Sequence, residues 1–381
     1  MASPSSSGTD AAAVPADIGI ASIVPDQGNQ LEADSESIGD DLDSSFESDD
    51  DAQSITTSLS SSFAKYRMEN GRSYHQYKDG QYAYPNDEIE KDRLDLQHHL
   101  FKLMMDQKLY LAPNKPNPQN VLDIGTGTGL WAIQFADENP SAQVIGTDLS
   151  PIQPTFIPPN LQFLIDDAGE DWVFSQKFDF IHARQLHCAV EEKRLIEQAI
   201  QNLYPGGFFE MQELAFPGTC DDNSNPPSNA LSKWNALMLE ASTKMGKPLN
   251  NPPKYAEWMR DAGFTNVHSS LYKWPSNTWP KGKKEKTLGL WNMVNTLDGL
   301  EGFTMAMFTR VLGWTPEEVQ IFLVDVRRDC KDRKLHNYWP VYITYGQKPL
   351  ENQSRGRQSG GDGSGQFEYL APSCHSLQIG P

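Results

Sequence analysis

The sequence is poor in cysteine, in long apolar runs and, over its first sixty residues, in positive charge. Its four cysteines, Cys188, Cys220, Cys330 and Cys374, form no C-x-x-C pair. That spacing excludes a disulfide scaffold and a zinc signature, and no other cluster has metal-ligand spacing, so no metal is expected. Reduced thiols of an intracellular chain, cytoplasmic or nuclear, are the simplest account. No run approaches the ~18 apolar residues of a membrane-spanning helix. The N-terminus lacks the basic and apolar regions of a secretory signal, and LQIGP at the C-terminus is no prenylation box. No membrane association is expected. Residues 1–60 hold thirteen acids and neither Lys nor Arg, which accounts for −13 of the net charge of −19 and leaves −6 for the rest. No broad basic surface remains for direct contact with nucleic acid.

What is present divides the chain. Residues 1–62 are rich in Ser, Asp, Ala and Gly and carry few large apolar side chains. Such a segment cannot bury enough surface to offset ordering entropy, so a disordered acidic tail is expected, one able to engage protein partners. Residues 350–381 read as a second disordered tail, rich in Gly and Ser. Between them apolar strands alternate with helical periods, the pattern of an α/β fold with a mostly parallel sheet. The first helical pattern, NDEIEKDRLDLQHHLFKLMMDQ, puts Ile89, Leu96, Leu100, Leu103 and Met104 on one face, with Asp87 and Glu90 as capping partners. Strands are expected at NVLDIG, AQVIGTD, LQFLID, FDFIHAR and FFEMQEL, with Pro205-Gly206-Gly207 stopping the helix before the last of these. TPEEVQIFLVDVRRDCKDRK opens with Thr315 as N-cap, Pro316 at N1 and Glu318 at N3. The expected organisation adds a lid and helix over 63–116 and a domain over 117–349. That domain carries helical insertions around 220–250 and 275–313.

The stretch DIGTGTGLW follows the first strand, where an open α/β sheet places its ligand. A dinucleotide site needs G-x-G-x-x-G, but Leu130 occupies the third glycine position and the glycines fall at Gly125, Gly127 and Gly129. A nucleotide-dependent oxidoreductase is disfavoured on that ground. No lysine follows in the P-loop position. Asp123 precedes the loop and Asp148 ends the second strand, one βαβ unit later. A carboxylate at that strand tip can accept two hydrogen bonds from a ribose diol. An acid beside the loop can help hold an ammonium group.

D-x-G-T-G-T-G resembles the first motif of class I S-adenosylmethionine-dependent methyltransferases. ENGRSYHQY, GTDLSPIQP, LQFLIDDAGEDWVF and LEGFTMAMFTRVLGWTPEEVQ extend the likeness over about residues 63–349 and are similar to the fungal LaeA-like methyltransferases. The resemblance implies a Rossmann-like seven-stranded sheet and S-adenosylmethionine as methyl donor. It implies a role in secondary metabolism, either as a pathway enzyme or as a regulator that binds the cofactor and works through partners. It carries cofactor contacts onto Asp123, Gly125, Thr126, Gly127, Gly129, Asp148 and Leu149, with Asp167 and Ala168 at the adenine and Asp166 as the neighbouring possibility. RQLHCAVEEKR departs from the family, so acceptor preference does not carry over.

Methyl transfer needs a base only where the acceptor must lose a proton. His187 and His182 follow the fourth strand as candidates for that role, with Arg184 as an anchor for an anionic acceptor. The aromatic run Tyr66, Tyr74, His75, Tyr77, Tyr82 and Tyr84 is expected to fold over the cofactor cleft as a lid, with Tyr74 and Tyr77 touching substrate. The acceptor expected is a small molecule, a metabolite. KGKKEK at 281–286 reads as a solvated loop or a weak nuclear signal.

Overall fold

Short β-branched and aromatic runs pair into one mixed sheet because helical periods between them return the chain in the same direction. The computed structural model describes residues 24–25, 31–34, 66–75, 84–114 and 117–350; Tyr77, Tyr82, the C-terminal tail and most of the acidic tail lie outside the described residues. The strands are β1 (Val24–Pro25), β2 (Tyr66–Glu69), β3 (Arg72–His75), β4 (Asn120–Ile124), β5 (Gln143–Asp148), β6 (Leu161–Ile165), β7 (Phe178–Arg184), β8 (Leu203–Leu214), β9 (Thr265–Pro275) and β10 (Tyr338–Gln347). The helices are α1 (Glu88–Met104), α2 (Leu130–Glu138), α3 (Glu192–Asn202), α4 (Ala230–Lys244), α5 (Tyr255–Asp261), α6 (Lys283–Met307) and α7 (Pro316–Lys331). The main sheet runs β1-β9-β10-β8-β7-β4-β5-β6, while β2 and β3 form a separate hairpin.

Strands β6, β5, β4, β7 and β8 are parallel, and β10 is antiparallel to both β8 and β9. The order reverses beside β4: its successors lie on one side and β7 on the other. Such a switch point leaves a crevice at the carboxyl ends of β4 and β7. Both faces of the sheet are covered. Trp131, Phe135, Val121, Val144 and Phe180 pack on one side. Ile124, Phe178, Ile181, Leu195, Phe209 and Tyr255 pack on the other. A third apolar cluster, with Trp234, Met238, Leu300, Phe308, Val319 and Trp339 among its members, joins α4, α6 and α7 over the crevice.

Two local expectations change. Pro205-Gly206-Gly207 does not separate α3 from the next strand; β8 begins at Leu203 and carries the turn as a bulge between its pairings to Phe178 and Phe180. Gly206 and Gly207 are held there by backbone hydrogen bonds to Lys348. In α1 the cap at Asp87 is present, accepting from the Glu90 amide at 3.1 Å, and Leu100 and Met104 are buried as expected. Ile89, however, is exposed, whereas Glu90, Arg93, Gln97 and His98 are buried. The helix has a second covered face, and it is polar. The capping box of α7 forms as expected between Thr315 and Glu318.

The basic run 281–286 is met by acids. Lys284 reaches Asp106 at 2.5 Å, Lys281 lies 3.7 Å from Glu32, and Lys286 pairs with Asp34. No helix of the described residues is long and apolar enough to cross a membrane.

Candidate active site

The loop between β4 and α2 turns on left-handed glycines, with φ of +64° at Gly125, +58° at Gly127 and +85° at Gly129. A side chain is also excluded by space at Gly129, where a Cβ would lie 2.4 Å from the Phe163 ring. Short hydrogen bonds hold the loop in place. Thr126 Oγ1 donates to Asp123 at 2.6 Å, Gly127 N donates to Asp148 at 2.8 Å, and Gln153 Nε2 donates to the Gly127 carbonyl at 2.7 Å.

Behind the loop, Asp123 is almost fully buried and its second oxygen meets His182 Nδ1 at 2.7 Å. The His182 ring stacks on Trp131, 3.9 Å between centroids and 3° from parallel. Burial holds the imidazole below its ordinary pKa against the pull of Asp123. Neither residue lines a cavity at the crevice. His182 therefore has no route to an acceptor, because it is wholly enclosed beneath the loop, and Asp123 orients Thr126 rather than facing an ammonium group.

Two cavities open at the crevice. The first is lined by residues 125–128 of the loop, 147–149 at the end of β5, 166–168 after β6 and 184–186 after β7, closed by Leu94 and Gln97 of α1. The second is lined by Tyr84, Phe216, Trp234, Phe303 and Trp339 with His187, Glu90, Arg93, Asn292 and Asn295 among its polar groups. Leu94, Gln97, Gly127, Asp148 and Gln185 belong to both walls.

The first cavity suits an amino acid joined to a nucleoside. Asp148 also accepts from Ser150 N at 2.9 Å, and burial pushes its carboxyl up to about 6. Such a group is stabilised by further donors, which a ribose diol supplies. Arg184 lines the same cavity, 3.0 Å from His98 Nδ1 and 5.0 Å over the Phe101 ring, with Asp123 attracting it from beyond ion-pair distance. Desolvation brings its guanidinium down to about 10, and the same desolvation, with Arg184 beside it, brings His98 down to about 3. A half-buried guanidinium that Asp123 attracts without reaching it can still take an anion, and the carboxylate of an amino-acid end is one. Asp167 Oδ1 accepts from Gly169 N at 2.9 Å, which shapes the turn that Asp166, Asp167 and Ala168 present to the cavity.

A family model described as a methyltransferase domain matches residues 96–269. A probable methyltransferase, tdiE, of Emericella nidulans is 47% identical over 69% of this chain and 83% of its own length. The secondary metabolism regulator LAE1 of Cochliobolus heterostrophus is 36% identical over 74% of this chain and 95% of its own. A protein-methionine methyltransferase, laeA, of Emericella nidulans is 33% identical over 75% and 77%. The chain belongs to the methyltransferase family. It is an S-adenosylmethionine-dependent enzyme with LaeA-like relatives. When bound, the cofactor supplies an electrophilic methyl group. The 125–128 turn, Asp148, Leu149, the 166–168 turn and Arg184 line the first cavity and would be the residues to hold it there.

The structure brings most of the sequence-derived site residues of the methyltransferase together and sets four apart, Asp123, Gly129, His182 and Tyr74. Gly125, Thr126, Gly127, Asp148, Leu149, Asp167 and Ala168 line the first cavity, and Gly129 caps α2 behind it. Arg184 lines the first cavity and not the second. Tyr74 is buried in the cluster formed by α4, α6 and α7, under the Arg310 guanidinium at 5.2 Å, and lines neither cavity. Tyr84, the last of the aromatic run, borders the second cavity and not the first, together with Pro85 and Asn86. Sequence reading missed Glu90, Arg93 and Gln97, because a helical period was scored for apolar residues alone. It also missed Glu213, although the acids and amide of FFEMQEL sit in a strand that is otherwise apolar, a visible oddity.

Proposed function

We propose that this methyltransferase transfers the methyl group to a small molecule of fungal secondary metabolism held in the second cavity. The observation that carries the reading is the shared wall. Gly127, Asp148 and Gln185 border both cavities, so a donor and an acceptor bound there are neighbours. Placing two reactants in contact away from water supplies much of the rate enhancement such a transfer needs. Asp148, Arg184 and the 125–128 turn bind and orient the cofactor; the aromatic side chains of the second cavity exclude water; His187 is the residue placed to take a proton from an acceptor.

Comparing metabolites of a deletion strain with its parent tests the acceptor. Loss of a single metabolite and gain of its congener lighter by one methyl supports a pathway enzyme. Broad loss of many products instead supports a regulator acting on a protein. The names of the LAE1 and laeA relatives favour that second reading.

A further inference from the structure

We propose that Glu213 and His187 act as a carboxylate–imidazole pair that takes the proton of an aromatic hydroxyl, so that the atom methylated is a phenolic oxygen. The proposal rests on the small-molecule reading above.

Glu213 lies near the end of β8 and is 1% exposed. One oxygen accepts from Leu186 N at 2.8 Å and the other meets His187 Nδ1. With both oxygens accepting, the proton of a neutral imidazole sits on Nδ1 and the lone pair on Nε2. His187 borders the second cavity, and Nε2 makes no hydrogen bond among the described residues. The turn that carries it is bracketed by two non-glycine residues in the left-handed region, Gln185 at φ +55° and Cys188 at φ +61°. Such strain persists where the surroundings over-determine it. Here it aims one imidazole at one cavity.

The charged groups facing that imidazole come from three elements. Glu213 of β8 and Glu192 of α3 raise its pKa, while burial and Arg93 of α1 lower it; the net direction is upward. Cys188 beside it is pushed up to about 12 by burial and stays a thiol. Tyr84 meets the imidazole edge-on at 6.3 Å.

The cavity selects the acceptor. Its walls are aromatic, with Trp234 and Trp339 perpendicular at 6.4 Å and Phe216 edge-on to Trp234 at 5.6 Å. Flat apolar walls fit a planar ring. The guanidinium at its edge, Arg93, is already bound by Glu90 at 2.7 and 2.9 Å and by Asn295 at 2.8 Å, so an anionic acceptor finds no free cation there. A thioether or an already neutral nitrogen brings its own lone pair and gives a base nothing to do. A phenol, with a pKa of about 10, must lose a proton that a histidine can take. In the step, the acceptor O–H bond breaks and its proton goes to Nε2. The oxygen bonds the methyl carbon, and the methyl–sulfur bond breaks with its electron pair left on sulfur.

The test uses nitrogen-15 imidazole resonances and 4-nitrophenol, whose ionised form is yellow. His187 should titrate above the ordinary histidine range as the Nδ1–H tautomer, and Glu213→Gln should lower that midpoint. Bound to the wild type, 4-nitrophenol should ionise at a pH lower by roughly one unit, a tenfold change in its ionisation constant. His187→Asn should abolish the shift and Glu213→Gln should reduce it, with S-adenosylhomocysteine binding retained in both as evidence of folding. A wild type that binds the probe without shifting it overturns the pair while leaving the small-molecule reading standing. A wild type that binds S-adenosylhomocysteine but takes up no 4-nitrophenol overturns that reading as well.

Discussion

Asp148 combines two demands that conflict. Its carboxyl is pushed up to about 6 by burial, yet it must be ionised to accept two hydroxyls. Because the folded pKa is raised, protonation sets in as the pH falls through 6, earlier than for an ordinary Asp. Affinity for S-adenosylhomocysteine should be level above about pH 7 and fall about tenfold per unit below the carboxyl's pKa. Asp148→Asn should bind about 10- to 100-fold more weakly, in line with losing a charge-assisted hydrogen bond, and its affinity should no longer follow pH across this range. Isothermal calorimetry between pH 5 and 8 reads both; an unchanged slope in the variant would assign the titration to another group. Gly127→Arg should abolish binding, because its side chain would have to occupy a wall common to both cavities. At this scale the gathering of Gly125, Gly127 and Asp148 at one cavity was legible, since glycines and strand-end acids are placed by local geometry. The two histidines were not separable, since spacing cannot tell that His182 would be covered by Trp131 and His187 left open.

Helix α6 shows how an element is fitted against its neighbours. A Cβ at Gly289 would lie 2.0 Å from the carbonyl oxygen of Asn277, a backbone atom that cannot swing aside. Gly289→Ala should cost about 1–3 kcal/mol by overpacking. Gly313 follows the π-helical turn Phe308–Leu312 at φ +76° with nothing within 4 Å of its Cβ position. Gly313→Ala meets only backbone strain, so its thermal midpoint should fall less than that of Gly289→Ala. Equal losses would show that α6 shifts freely. Elements of this kind were legible where the code is local, as in the Thr315–Glu318 capping box. They were not where long-range pairing decides. The strand content of Pro205-Gly206-Gly207 depends on Lys348, and the polar face of α1 depends on what α6 brings to it, such as Asn295.

For the molecule as a whole, buried titrating groups pull stability in opposite directions with pH. Glu210, fully buried and accepting from the amides of Leu111 and Ala112, is pushed up to about 7. A carboxyl raised in the folded state favours folding at low pH, and that contribution is lost as the pH rises from 4.5 to 7. His98, brought down to about 3, favours folding at high pH, and its contribution is lost as the pH falls below the ordinary histidine value of 6.5. Glu210→Gln should remove the first effect alone. Its thermal midpoint should exceed the wild type's at pH 8, by up to about 3 kcal/mol in stability, and converge on it near pH 4.5. A constant difference across that range would mean that Glu210 keeps its ordinary pKa in the fold.

The wall common to the two cavities has a kinetic meaning. Five residues line both sides, so whatever fills the first cavity becomes part of the surface the second one offers. Acceptor binding should therefore follow donor binding in a compulsory order. The demethylated cofactor should compete with the donor and act as a noncompetitive inhibitor toward the acceptor. Release of the acceptor product should come before release of the spent donor.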